Sequence, residues 1–143
     1  MIKVEKSVII KKPVEEVFSY SQNKDNYSKW QGEGSIQMLE GPDNVVGSRY
    51  LDISKFLGQE MKSTMEITAY KENEIWAAKV IKGPVPYEVA MAYAKVPEGT
   101  KLTIVIEGEP KGFFKLAEGI VVSSIEKDIE ESLNRLKSIL EGG

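Results

Sequence analysis

A single change of hydrophobic period most limits how this chain can fold. From Ser35 to Glu109 the texture is strand and turn; beyond Pro110 and Gly112 apolar residues recur every three or four positions. Met61, Ser63, Met65, Ile67 and Ala69 alternate with Glu60, Lys62, Thr64, Glu66, Thr68 and Tyr70. A period of two places one set on each face of a strand. Leu102, Ile104 and Ile106 repeat the pattern in a last strand, and residues 48–57, 75–82 and 87–96 read as further strands. Phe114, Ala117, Val121, Ile125, Ile129, Leu133, Leu136 and Leu140 then follow helical spacing. That spacing predicts one long amphipathic helix of about eight turns. Ahead of the sheet, residues 2–10 read as a first strand. Pro13 suits a first helical turn, Glu15 and Glu16 suit the helix dipole, and Val14, Val17 and Phe18 give a short helix its apolar side. A second short helix is expected over 24–30. No linker or repeat divides the 143 residues, so one domain over 1–143 is expected.

Turn chemistry predicts register, and register says which side chains share a face. Gly58-Gln59 as a turn with glycine first pairs Phe56 with Met61, Ser54 with Ser63, Asp52 with Met65 and Tyr50 with Ile67. Glu98-Gly99 as a second tight turn pairs Tyr93 with Ile104 and Met91 with Ile106. A four-residue turn over 71–74 pairs Ala69 with Trp76. One face then collects Tyr50, Asp52, Phe56, Met61, Met65, Trp76, Ala78, Val80, Val89, Met91, Tyr93, Ile104 and Ile106.

Composition removes several functions. There is no cysteine and no histidine, which excludes disulfides, thiolate nucleophiles, imidazole-based triads and the commonest zinc ligand. Acid–base chemistry would fall to Asp, Glu, Lys or Tyr. The net charge is −3, the lysines are scattered, and Arg49 and Arg135 are the only arginines, so no basic stripe for a phosphate backbone is present. No apolar run approaches the ~20 residues of a membrane span, and the first residues alternate with charge rather than forming a signal peptide. A cytoplasmic protein with no metal, no cofactor, no nucleic-acid partner and no stable membrane insertion is expected.

The order of strand, two short helices, antiparallel strands and one long carboxyl-terminal helix resembles the START-like (SRPBCC) superfamily. Particular stretches resemble its polyketide cyclase/dehydrase-like branch. Val4-Glu5-Lys6-Ser7-Val8-Ile9-Ile10 leading to Pro13-Val14-Glu15-Glu16-Val17-Phe18 is similar to its first strand and helix, and Trp30 to its usual tryptophan. Val46-Gly47-Ser48-Arg49-Tyr50, Glu66-Ile67-Thr68-Ala69-Tyr70 and Gly99-Thr100-Lys101-Leu102-Thr103 are similar to its later strands. The resemblance implies an α+β helix-grip fold: a curved seven-stranded antiparallel sheet around the long helix, with two short helices after the first strand. It also implies an apolar cavity between sheet and helix. Members of that superfamily carry hydrophobic ligands, cyclise polyketides or have no known activity.

On this reading a small hydrophobic, lipid- or polyketide-like molecule is the expected partner. Its contacts would be Tyr50, Met61, Ser63, Met65, Trp76, Met91, Tyr93, Phe114, Ala117 and Val121. Methionine suits adaptable apolar surfaces, and a small Ala117 on the helix's inner face would leave room. The same residues equally describe a packed core. Phe113-Phe114 either gates such a cavity or staples the helix start to the sheet. An enzyme is the rival reading: a cyclase or lyase on a polyketide-like or aromatic carbonyl compound. Asp52, aimed inward and partly desolvated, would be the base, and Tyr50 or Tyr93 would donate to the developing oxyanion. Asp52 in water at a rim remains the alternative. An interaction module without ligand is the third reading. The acids Glu126, Asp128, Glu130 and Glu131, with Lys127, read as the solvated outer face of the long helix. Gly83-Pro84-Val85-Pro86 is a stiff loop, either connector or part of a cavity mouth.

Overall fold

Alternating apolar and charged residues make Ile2–Ile10 a strand, β1, with Ile2, Val4 and Ile10 buried. Pro13 then stands one residue outside helix α1 (Val14–Gln22), and its carbonyl accepts from the amides of Glu16 and Val17 at 3.1 Å each. The segment expected as one short helix over 24–30 divides into a 3-10 turn, Lys24–Asn26, and one α-turn, α2 (Tyr27–Trp30). Six strands follow: β2 (Gly34–Glu40), β3 (Arg49–Phe56), β4 (Gln59–Lys71), β5 (Ile75–Lys82), β6 (Tyr87–Val96) and β7 (Gly99–Gly108). Helices α3 (Phe113–Leu116) and α4 (Glu118–Gly142) close the chain. This computed structural model describes residues 1–32, 34–109 and 113–142; the side chains of Phe113 and Phe114 lie outside the description.

The seven strands form one antiparallel sheet in the order β1-β7-β6-β5-β4-β3-β2. The sheet curves around α4, as the resemblance implied. Val121, Ile129, Leu133, Leu136 and Leu140 of α4 are buried at helical spacing. The helix is pinned to β1 at its far end. Lys137 Nζ donates to the Ile9 carbonyl at 2.6 Å and pairs with Glu141 at 2.6 Å, while Glu141 Oε2 accepts the Lys11 amide at 2.8 Å. The Lys137 hydrogen bond, followed by that of the Lys11 amide, holds the Glu141 carboxyl below its usual range.

Three hairpins pair differently from the sequence reading, two of them by two residues and one by a single residue. Phe56 pairs with Gln59, Ser54 with Met61, Asp52 with Ser63 and Tyr50 with Met65. The turn is therefore Leu57-Gly58, with φ of 52° and 77°. Two positive φ values make the turn whose twist matches that of the flanking strands, and this outweighs the cost of leucine there. Val96 pairs with Gly99, Tyr93 with Leu102 and Met91 with Ile104, so Pro97-Glu98 is the second turn. Proline presets the φ its first position needs. A two-residue slip keeps every side chain on its own face, so the inner set survives both corrections. Between β4 and β5 Tyr70, not Ala69, pairs with Trp76. A register shift between Ile67 and Ala69 absorbs the odd residue, and Ile67 pairs with Ala78 and Met65 with Val80.

The long helix is also shorter than expected. Ala117 is a turn between α3 and α4, although its carbonyl accepts the Val121 amide at 2.9 Å. Glycine at 119 weakens helix propensity at this point, and the apolar periodicity runs across the break without registering it.

Close approach sets the glycine at 99. Gly99 has φ +146°, and a Cβ there would lie 2.3 Å from the Ile10 carbonyl oxygen and 2.9 Å from the Lys12 amide nitrogen. Neither backbone atom can move without breaking the β1–β7 edge. Gly99→Ala is expected to destabilise by roughly 2 kcal/mol, read from the urea midpoint. A change within roughly 0.5 kcal/mol would contradict this packing.

Among the described residues no helix is long and apolar enough to cross a membrane, and no three His, Cys, Asp or Glu side chains are grouped to hold a metal ion.

Candidate functional site

The inner face of the sheet does not meet α4 everywhere. A cavity of about 250 Å³ opens between them, and a second of about 190 Å³ adjoins it between the sheet and the α1–α2 segment. Tyr27, Gln31, Ser54, Tyr87, Val89, Met91 and Ile106 line both, so the two lobes adjoin. The larger alone approaches the size at which small-molecule sites begin, roughly 300 Å³.

The larger lobe is apolar. Its sheet wall is Met61, Val89, Met91, Ile104 and Ile106, and its helix wall is Val121, Ile125 and Ile129. Trp30 closes it from α2, and Val85 of the 83–86 loop completes it. Asp128 also reaches this lobe. Its carboxyl is raised above the usual range, first by burial and then by Glu131. Asp128 is nonetheless exposed, as expected for the acidic run, and stands at the lobe's edge one helical turn from Ile125 and Ser132. Glu126 and Glu130 are not idle either, since both pair with Lys6 of β1, at 3.3 and 2.8 Å.

The smaller lobe is more polar. It lies between β3, β4 and β5 on one side and the α1–α2 segment on the other, with Tyr50, Asp52, Met65, Trp76 and Tyr87 on its wall. Its rim carries an ion pair, Lys24 Nζ to Asp43 Oδ1 at 2.9 Å, joining the α1–α2 connection to the β2–β3 loop. Asp52 is the chemically distinctive group. Burial pushes its carboxyl up to about 6, against the opposing pull of a hydrogen bond donated by the Tyr27 hydroxyl at 3.4 Å. No ion pair joins it to a lysine or arginine among the described residues. The phenols of Tyr27, Tyr50 and Tyr87 are all pushed upward, by burial first and by the Asp52 charge second. They therefore stay protonated and serve as donors at neutral pH.

Of the residues picked out by sequence, Tyr50, Met65, Trp76 and Met91 line the smaller lobe with Asp52, and Met61, Met91 and Val121 line the larger. Three line neither. Ser63 is buried on the inner face, but Gly83 packs so close that a Cβ there would stand 2.8 Å from Ser63 Oγ. Tyr93 is consumed by α1: its hydroxyl shares a 2.6 Å hydrogen bond with Ser21 and accepts from Gln22 Nε2 at 2.8 Å, and its ring meets Phe18 edge-on at 4.9 Å. Burial pushes that phenol up to about 12. Tyr93 is thus a strut rather than an oxyanion donor. Ala117 falls at the α3–α4 break and packs on the core without reaching a cavity wall. Phe114, and the gate or staple reading of Phe113-Phe114, lie outside the described side chains.

Sequence reasoning missed Tyr27, Tyr87 and Ile125. Tyr87 shares parity with Val89 and Met91 and needed only that the strand's inner face be extended to its first residue. Ile125 belonged to the helix's apolar series. Tyr27 carries no such signal, because a single α-turn has no periodicity to read.

A protein-family model described as "Polyketide cyclase / dehydrase and lipid transport" matches residues 1–141. Several solved structures share the fold. TTHA0849 from Thermus thermophilus superposes with a TM-score of 0.83 at 16% identity, covering 99% of this chain and 98% of that one. A START superfamily protein from Mycobacterium smegmatis gives 0.79 at 17%, covering 98% and 97%. DynU16, from the dynemicin biosynthetic locus, gives 0.70 at 16%, covering 97% of this chain and 47% of that one. Among curated proteins, none matches the sequence.

Proposed function

Because the chain belongs to the polyketide cyclase/dehydrase and lipid transport family, we propose that it binds a small hydrophobic, lipid- or polyketide-like molecule between sheet and α4. The observation that carries the reading is the larger lobe: about 250 Å³ walled by methionine and aliphatic side chains from both layers. Apolar walls with few polar groups are the usual make-up of such sites, and exclusion of water from them drives binding. The smaller lobe gives the occupant a polar end to satisfy.

The test has two arms. Mass spectrometry of solvent extracts from natively purified protein should return a small apolar molecule. Ile125→Trp should then lower uptake of a fluorescent hydrophobic dye at least tenfold, since the indole enters the larger lobe from its helix wall, while circular dichroism stays that of the folded protein. Unchanged uptake in a folded variant overturns this placement. Ile125 replaces Ala117 as the position to fill, because Ala117 is not on the wall.

One observation favours the second reading, a cyclase or lyase on a carbonyl compound: the Asp52 carboxyl at about 6. A carboxylate in that range can take a proton near neutrality, and Tyr50 or Tyr27 would supply the donor to the oxygen that gains charge. If the extract yields a carbonyl compound that the protein converts, Asp52→Asn should remove turnover.

A further inference from the structure

The smaller lobe contains a charge that no described residue answers with an ion pair. Among the described residues two carboxylates line it. Asp43 is paired with Lys24. Asp52 has, among the described residues, only the long 3.4 Å hydrogen bond from Tyr27. Asp52 is half-buried, and a carboxylate drawn partly out of water is ordinarily paired, because lost hydration costs more than one long neutral hydrogen bond returns. Nothing in the local packing calls for an acid at this place: Asp52 pairs across β3 and β4 with Ser63 and across β2 and β3 with Ile36, and a neutral asparagine has almost the same shape. The surroundings are aromatic. Tyr50, Trp76 and Tyr87 from the sheet and Tyr27 from α2 line the same lobe, with the Tyr50 and Trp76 rings 6.4 Å apart. A carboxylate set among electron-rich rings is complementary to one class of group, an organic cation.

We propose that the ligand's polar end is a positively charged amine, seated between Asp52 and the surrounding tyrosines, with its apolar body in the larger lobe. The proposal rests on the ligand-binding reading above and names the chemical class of that ligand. An anionic amphiphile such as a fatty acid is the poorer occupant. Its carboxylate would face Asp52, and the basic side chain on the smaller lobe's wall, Lys24, is already engaged by Asp43. A neutral alcohol would accept or donate a hydrogen bond but leave the Asp52 charge uncompensated. The two lobes adjoin, with seven lining residues in common.

Three probes of equal chain length separate these outcomes: decyltrimethylammonium, decan-1-ol and decanoate, titrated at pH 7.5 below their micelle concentrations by displacement of a bound hydrophobic dye. The expected order is the ammonium at least tenfold tighter than the alcohol, with decanoate weakest. Asp52→Asn should collapse the ammonium-to-alcohol ratio to near one, and Tyr87→Leu, which keeps the carboxylate, should shrink it about fivefold. Equal binding of all three probes, a preference for decanoate, or an ammonium preference that survives Asp52→Asn overturns the proposal while leaving the ligand-binding reading intact. Failure of all three to displace the dye overturns both.

Discussion

Trp30→Ala is expected to lower stability by about 3–5 kcal/mol, the usual cost of emptying a buried tryptophan site. Trp30 is fully buried, 0% exposed, although it sits in a helix of one turn. So short a helix has no stability of its own and is held by what it packs against. The indole lies between α2 and α4, where Arg135 Nε also donates to the Trp30 carbonyl at 2.9 Å. Alanine keeps that backbone contact and loses the packing, so α2 should loosen and the larger lobe lose its closing wall. Trp30→Phe makes a sharper comparison. The indole Nε1 has no hydrogen-bond partner among the described residues, and a buried unsatisfied donor costs about 1–3 kcal/mol. Phenylalanine gives up area but removes that donor, so its net cost should stay under about 1.5 kcal/mol. Urea unfolding followed by far-ultraviolet circular dichroism measures both. A loss below roughly 1 kcal/mol for Trp30→Ala would mean the indole is not packed as described.

The second large effect has the opposite sign. Asp52→Asn is expected to stabilise the protein at pH 7.5 by on the order of 3 kcal/mol, the equivalent of moving a carboxyl from its ordinary 3.8 to about 6. The folded protein holds the Asp52 proton more tightly than the unfolded chain does, so an ionised Asp52 opposes folding. That penalty is full above about pH 6, falls as the pH drops from about 6 towards 4, and is absent below. The stability of the variant relative to the parent should therefore be greatest at neutral pH and vanish near pH 4. The groups facing Asp52 do not blur this window. Tyr27 from α2, Tyr50 from β3 and Tyr87 from β6 are all displaced upward, away from it, and Ser63 opposite on β4 does not titrate. Glu141, whose carboxyl is depressed, is common to both proteins and cancels in the comparison. Urea midpoints at pH 4, 5, 6 and 7.5 give the profile. A variant less stable than the parent at pH 7.5 would show that the Asp52 carboxylate is satisfied in the fold. A residue whose removal stabilises a protein is commonly one kept for function, which is why the same carboxylate anchors the ligand argument.

Much of this arrangement was legible along the chain. The limits of β1, β5 and β6 follow from alternation, and the change of period separates sheet from helix. The inner face is robust because side-chain direction in a strand depends only on parity: two hairpin corrections are even, and the register shift between Ile67 and Ala69 absorbs the odd one between β4 and β5. Residues such as Met65, Trp76 and Met91 thus lie on the face expected of them, although their partners across the hairpins differ. What alternation cannot give is depth. Tyr93 and Met91 share a face, yet Tyr93 is tied to Ser21 and Gln22 of α1 while Met91 faces the cavity. Ser63 points inward as well, into contact with Gly83. Local sequence fixes the direction of a side chain; which layer covers it, and whether that layer reaches it, depends on residues far away in the chain. The space between sheet and α4, and the convergence of Tyr27, Asp52 and Tyr87 from α2, β3 and β6, were decided only by tertiary packing. No local pattern records a contact between elements 25 or more residues apart, because the free energy that brings them together belongs to the whole core and not to either segment.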